Sequence, residues 1–219
     1  VDFRSDTVTR PCENLRTAMA SAEVGDDVYG EDPTVTKLET YTAHLLGKEM
    51  GLFVPSGTMA NLIAIGVHCR RGDEIILGDK SHIFVYEAGG ASGFLGVAYQ
   101  TLANSPDGGM DVEAVERAVR PDDPHCTRSS LLCLENTHNK CGGRVLGKAR
   151  VGEMCDVAEA HGLKVHMDGA RLWNASTALA ARPAELVEKV HSVSVCLSKG
   201  LGAPVGSVLV GEESFIREV

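Results

Sequence analysis

The sequence predicts an α/β protein built on a mainly parallel sheet, and three observations carry that prediction. Short apolar, β-branched runs alternate with helical patterns over about 170 residues. Polar side chains gather at the carboxyl ends of those runs, where an open α/β sheet places its site. Two of these ends differ from the rest. The run in LKVHMDG (163–169) delivers a lone carboxylate, Asp168, into a small-residue turn, and the run from His191 to Leu197 delivers Lys199 at the edge of a glycine-rich turn.

The elements follow in order. Residues 1–11 form a polar, extended arm closed by Pro11, and on its own composition this arm reads as a loose surface segment. A short helix spans Asn14 to Ala22, and GDDVYGED (25–32) is a loop. Asp32 as N-cap and Pro33 at the first helical position start a helix to about Leu46, with Val35, Leu38 and Leu45 on its apolar face. Met50 to Val54 is a brief buried strand feeding Ser56-Gly57-Thr58 and then an apolar helix to Cys69. A strand, a small-residue turn and a helix N-terminus can cradle a phosphate, because free N–H groups point outward there. The same pattern also describes a simple capped turn. Glu74 to Leu77 is a strand, and residues 78–90 are its end loop, carrying His82, Tyr86 and Glu87. His82 can stack on an aromatic ring or act as a base, or simply pack the loop. Val97 to Leu102 is a strand, Asp111 caps a helix to Val119, and Pro121 to Ser129 is a polar loop holding His125. Leu131 to Leu134 is a strand ending in Glu135-Asn136-Thr137-His138-Asn139. Helices over Val151 to His161 and Pro183 to Lys189, strands over Val193 to Leu197 and Ser207 to Val210, and a helix starting at Glu213 complete the chain. Gly200 to Gly206 is not a dinucleotide loop, since Pro204 and a strand stand where that motif needs a helix.

Composition sets the bounds. The 219 residues suffice for a substantial core, with 43% hydrophobic and 23% charged residues, the balance of a globular protein. A net charge of −9 excludes a nucleic-acid or anionic-membrane partner, both of which need a basic face. No apolar run approaches the roughly 20 residues of a membrane helix. The seven cysteines lack paired metal-ligand spacing, so they read as reduced thiols of an intracellular protein, with no metal site expected. A cytoplasmic location is expected, with a mitochondrial one the alternative, because the chain opens at Val1 and an upstream segment is expected.

An acid that keeps a pyridine nitrogen protonated and a lysine amine that forms a Schiff base with an aldehyde together suit pyridoxal 5′-phosphate. The blocks FRSDTVTRP, GDDVYGEDPTV, FVPSGTMAN, GDKSHIFVYEAGG, LENTHN, HMDGAR and LSKGLGAPVG then occur in an order that resembles the threonine aldolases. These belong to the β-eliminating lyase group of fold-type I pyridoxal-phosphate enzymes. The resemblance spans nearly all of residues 2–211. It implies a three-layer αβα large domain over 25–219, preceded by an arm and helix over 1–24, with the family's small C-terminal domain absent from this chain.

It also implies roles. Lys199 would bond the cofactor aldehyde, Asp168 would pair with the ring nitrogen, and His82 would stack on the ring and take the β-hydroxyl proton, with His125 a second base candidate. Ser56, Gly57 and Thr58 would hold the phosphate. Arg171 and Ser5 would sit near the substrate carboxylate, Arg171 also counting among the cofactor-binding residues, and Tyr86 and Tyr29 near the substrate, Tyr29 across a subunit interface. The implied reaction is cleavage of a β-hydroxy-α-amino acid, threonine or allo-threonine, to glycine and acetaldehyde in a homo-oligomer, a dimer of dimers. Another pyridoxal-phosphate lyase or racemase, or an inactive shortened homologue, are the alternatives. A chain ending at Val219 is expected to bind cofactor weakly and turn over poorly.

Overall fold

The structure, a computed structural model, describes residues 2–219. Seven strands form one sheet: β1 (Met50–Val54), β2 (Glu74–Gly78), β3 (Ala98–Leu102), β4 (Ser129–Glu135), β5 (Lys164–Asp168), β6 (Ser192–Cys196) and β7 (Ser207–Gly211). Their spatial order is β1-β7-β6-β5-β4-β2-β3. Pairings from β3 through β6 are parallel, while β7 runs antiparallel to both β6 and β1. Only β7 is therefore reversed, and the carboxyl ends of the other six strands share one edge.

The described residues form ten α-helices, most of them packed on the two faces of the sheet. They are α1 (Glu13–Ala20), α2 (Pro33–Leu45), α3 (Gly57–His68), α4 (His82–Val85), α5 (Gly90–Gly93), α6 (Val112–Ala118), α7 (Lys148–Ala160), α8 (Leu172–Leu179), α9 (Pro183–Leu186) and α10 (Glu213–Arg217). No helix among the described residues is long and apolar enough to cross a membrane.

Side-chain alternation along the strands builds the three layers. Ile76 of β2, Leu132 and Leu134 of β4 and Val208 and Val210 of β7 join one core with α2, α6, α7 and α8. Ile75, Leu77, Leu131 and Cys133 face the other way, against Ile65 of α3, and Leu209 packs with Ala60 and Ala64 of α3 and Phe215 of α10. A strand covered on both faces normally reads as a continuous apolar run. β5 and β6 do not. Val165, Met167, Val193 and Val195 feed the first core. The alternate positions His166, Asp168, Ser192 and Ser194 are polar, 3% exposed or less, and lie on the face that α3 covers.

Some elements depart from the sequence expectations. The loop over 78–90 contains one helical turn, α4, and runs through Gly89 at φ +68° into a second, α5. The arm is not extended throughout, because the Ser5 hydroxyl accepts from Thr7 N and caps a 3-10 turn over Asp6–Val8. α7 starts at Lys148, three residues early, with no side-chain cap at Gly147 to announce it.

Candidate active site

Register fixes where the chemical groups gather. Val54, Ser207 and Cys196 lie in one row across β1, β7 and β6, and Ser194, Asp168 and Glu135 in another across β6, β5 and β4. The loops that leave these ends carry Gly57, Lys199, Arg171 and, after β2, His82, so all of them border the carboxyl edge of the sheet.

Asp168 is 3% exposed. Its Oδ1 accepts from Ala170 N at 3.0 Å and its Oδ2 from Asn61 Nδ2 at 3.0 Å. Among the described residues no lysine or arginine ion-pairs with it. The second amide hydrogen of Asn61 goes to Glu87 Oε1 at 2.8 Å, and Glu87 Oε1 also meets His82 Nδ1 at 2.9 Å. One nitrogen of His82 and one oxygen each of Glu87 and Asp168 lie within 4.8 Å of one another. The hydrogen bond to Glu87, with the charges of Asp168 and Glu135 behind it, raises the His82 pKa above its ordinary value. Burial raises that of Glu87. Glu135 accepts from the His82 backbone N–H at 2.7 Å and from Asn139 N at 3.0 Å, and burial together with the Asp168 charge pushes its carboxyl up to about 7.

On the other side, the half-buried Lys199 amine touches Cys196 Sγ at 3.5 Å, and that sulfur meets Ser207 Oγ at 3.4 Å. α3 begins directly above: a Cβ on Gly57 would stand 3.0 Å from the same sulfur. Ser56 caps α3 by accepting from Met59 N at 3.2 Å, which leaves the first N–H groups of the helix, those of Gly57 and Thr58, open. The N-terminal arm closes this flank. Thr9 Oγ1 donates to the Lys199 carbonyl at 2.7 Å, and Arg171 grips Asp6 with Nε and Nη2, each at 2.7 Å. That grip lowers the pKa of Asp6. Ser5, Asp6, Arg171, Thr137 and Asn139 line a cavity of about 420 Å³.

Lys199, Asp168, His82, Ser56, Gly57, Thr58, Arg171 and Ser5 are thus brought to one edge. Tyr86 joins at its rim, half exposed, with its ring 5.6 Å from that of His82. Tyr29 is 80% exposed on its loop. His125 is not brought in: it pairs with Asp123 at 3.0 Å on an exposed loop leading into the amino end of β4, opposite Glu135. Asn61, Glu87 and Asp6 belong to the site and were not assigned from the sequence. The legible signal for the Asn61 neighbourhood was polar alternation in VHMD and SVSVC.

The topology defines a fold-type I α/β domain, and its polar groups gather at the strand carboxyl ends. The sequence profile of the beta-eliminating lyases matches residues 2–219, and the chain belongs to that family. It is 54% identical to a probable low-specificity L-threonine aldolase 2 of Arabidopsis thaliana over 100% of this chain and 62% of that protein. It is 45% identical to the low specificity L-threonine aldolase of Escherichia coli K12 over 99% of this chain and 64% of that one. The chain thus spans under two thirds of the length of these curated relatives. The fold matches that of a Leishmania major threonine aldolase with a TM-score of 0.84 at 23% identity, over 97% of this chain and 62% of the other.

Proposed function

We propose that this chain carries the cofactor-binding large domain of a pyridoxal-phosphate lyase that cleaves threonine or allo-threonine to glycine and acetaldehyde. The observation that carries the reading is the convergence of Asp168 and Lys199 on one sheet edge beneath the open N-terminus of α3. The residues present fit the group. A buried carboxylate without a cationic partner among the described residues suits a protonated ring nitrogen, the α3 N-terminus suits a phosphate, and a half-buried amine held by a thiol rather than by an ion pair among the described residues suits an aldehyde. Lys199, Asp168, His82, Ser56, Gly57 and Thr58 would hold it. When bound, pyridoxal phosphate supplies an electron sink that weakens whichever Cα bond stands perpendicular to its ring.

The protein's part is placement and proton handling. Asp168 would pair with the ring nitrogen and hold a proton there. Glu87 accepts from His82 Nδ1–H, so the other nitrogen, Nε2, is free to take the proton from the substrate β-hydroxyl, directly or through water. Loss of that proton selects the Cα–Cβ bond for cleavage. Arg171 offers a planar fork to the substrate carboxylate, with Ser5 beside it and Asp6 as its partner until substrate arrives. Positioning decides the outcome.

The reading extends to a cytoplasmic homo-oligomer, a dimer of dimers. Exposed Phe3, Val28 and Tyr29 give a second copy apolar surface to cover, and Tyr29 would reach the partner's site. The test is a visible absorbance band on adding pyridoxal phosphate, its loss in Lys199→Ala, and equimolar glycine and acetaldehyde from threonine. Pyruvate release from a hydroxy-amino acid would point instead to elimination, and an unchanged band after Lys199→Ala would end the reading.

A further inference from the structure

Beneath α3 the buried polar strip of β5 and β6 forms a single connected path. His166 Nε2 lies 3.0 Å from Asn61 Oδ1, His166 Nδ1 lies 2.9 Å from Ser192 Oγ, and that hydroxyl lies 2.8 Å from His68 Nε2. Ser194 Oγ adds a bond to Asn61 Oδ1 at 2.7 Å. Asn61, His166, Ser192 and Ser194 are all 1% exposed or less.

The direction of every bond follows from the side-chain donor inventory. Asn61 must point its NH₂ at Asp168 and Glu87, because turning the amide over would set its oxygen against two carboxylates. Its oxygen therefore faces His166 and Ser194, and His166 must present Nε2–H to it. Burial drives the His166 pKa down to about 4, so the ring is neutral near pH 7 and its Nδ1 can only accept. Ser192 then donates to His166 and accepts from Nε2–H of His68, whose pKa burial likewise lowers, to about 3. All the donors point the same way, from His68 through Ser192, His166 and Asn61 to Asp168.

We infer that His166, Ser192 and His68 are positioning residues for the cofactor's acid, a one-way hydrogen-bond relay that pins the Asn61 amide and thereby fixes the Asp168 carboxyl as its acceptor. The inference rests on the reading of Asp168 given above. It explains why a strip of polar groups is buried where apolar strand faces would pack without such an arrangement.

The test uses two readouts. In the cofactor-free protein, ¹H–¹⁵N NMR of the histidine rings should show His166 and His68 neutral, each with its proton on Nε2. A proton on Nδ1 of His166 would overturn the relay whether or not the protein binds pyridoxal phosphate. In the second readout, pyridoxal phosphate is titrated by its visible band. His166→Phe, which keeps the ring shape without either nitrogen, should bind about tenfold more weakly, the loss of roughly one charge-assisted hydrogen bond. His166→Gln, which restores a donor and an acceptor, should recover most of that loss. Ser192→Ala should weaken binding in the same direction, and it serves if His166→Phe does not fold. Equal affinity in the unmodified protein, in the Phe or Ala variant and in the Gln variant would refute the relay while leaving the function standing. No band in the unmodified protein would remove the function instead, and with it the relay's role.

Discussion

Gly57→Ala tests whether the turn that opens α3 is placed by packing against the lysine strand. Gly57 has helical backbone geometry, so the argument is steric rather than conformational. The new Cβ would lie 3.0 Å from Cys196 Sγ and 3.6 Å from Ser207 Oγ. Ordinary nonbonded contacts lie at about 3.5–4.0 Å, so the helix start must lift by about 0.5 Å or more, and overpacking of this kind costs about 1–3 kcal/mol. Alanine's better helix propensity returns up to about 1 kcal/mol. The net loss is about 1 kcal/mol, a fall in Tm of roughly 2–4 °C for a chain of this length. Because the displaced N–H groups are those proposed to hold the phosphate, cofactor affinity should fall about tenfold. Calorimetry of the cofactor-free protein and an absorbance titration read the two effects. In a Cys196→Ala background the clash is gone, and Gly57→Ala should become neutral or stabilising, a coupling of about 1–3 kcal/mol in the double-mutant cycle. Additive effects, or unchanged affinity in the single variant, would refute the reasoning.

Three further outcomes are expected. Glu87→Gln removes the hydrogen-bonded anion that raises the His82 pKa, so the acid limb of the kcat/KM profile for threonine should move to lower pH; an unmoved limb would exclude His82 as the base. Arg171→Lys keeps the charge but loses the fork, and KM for threonine should rise about tenfold or more with a smaller change in kcat, measured by coupled acetaldehyde assay. Acid unfolding should begin early. His166 and His68 are held neutral in the fold, with pKa values depressed from 6.5, so their contribution is present above pH 6.5 and is lost as pH falls toward 4. For His166 the loss is on the order of 3 kcal/mol, and the urea midpoint of His166→Gln should fall less steeply over that range than that of the unmodified protein.

The sheet was legible because local pattern and burial agree. Glu74 to Gly78 is a strand by composition and is buried throughout, and Asp32-Pro33 starts α2 as its cap chemistry requires. Asp168 and Lys199 were legible because each ends an apolar run at a small-residue turn. The Arg171–Asp6 pair was not, since it joins a polar arm to the far end of the chain and no local periodicity encodes such a meeting. Asn61 was hidden for a different reason: it is one polar residue in the apolar helix α3, and its worth depends on which strand faces it. Ser192 and Ser194 were read as part of an apolar run, although their spacing by two, with His166 and Asp168 opposite, already spelled out a polar stripe. His125 had the right chemistry but lies before its strand rather than after it.

β1 holds an outer position in the sheet and pairs with β7 alone. The strand that introduces the α3 turn therefore has no seat until nearly the whole described chain has been made. A ribosome-bound chain halted before Ser207 would already possess Asp168 and Lys199 and could lay α3 on β5 and β6, yet the strand that leads into the α3 turn would lack its sheet partner. Binding of the proposed cofactor would then wait for late docking of the earliest strand, a long-range closure expected to be slow.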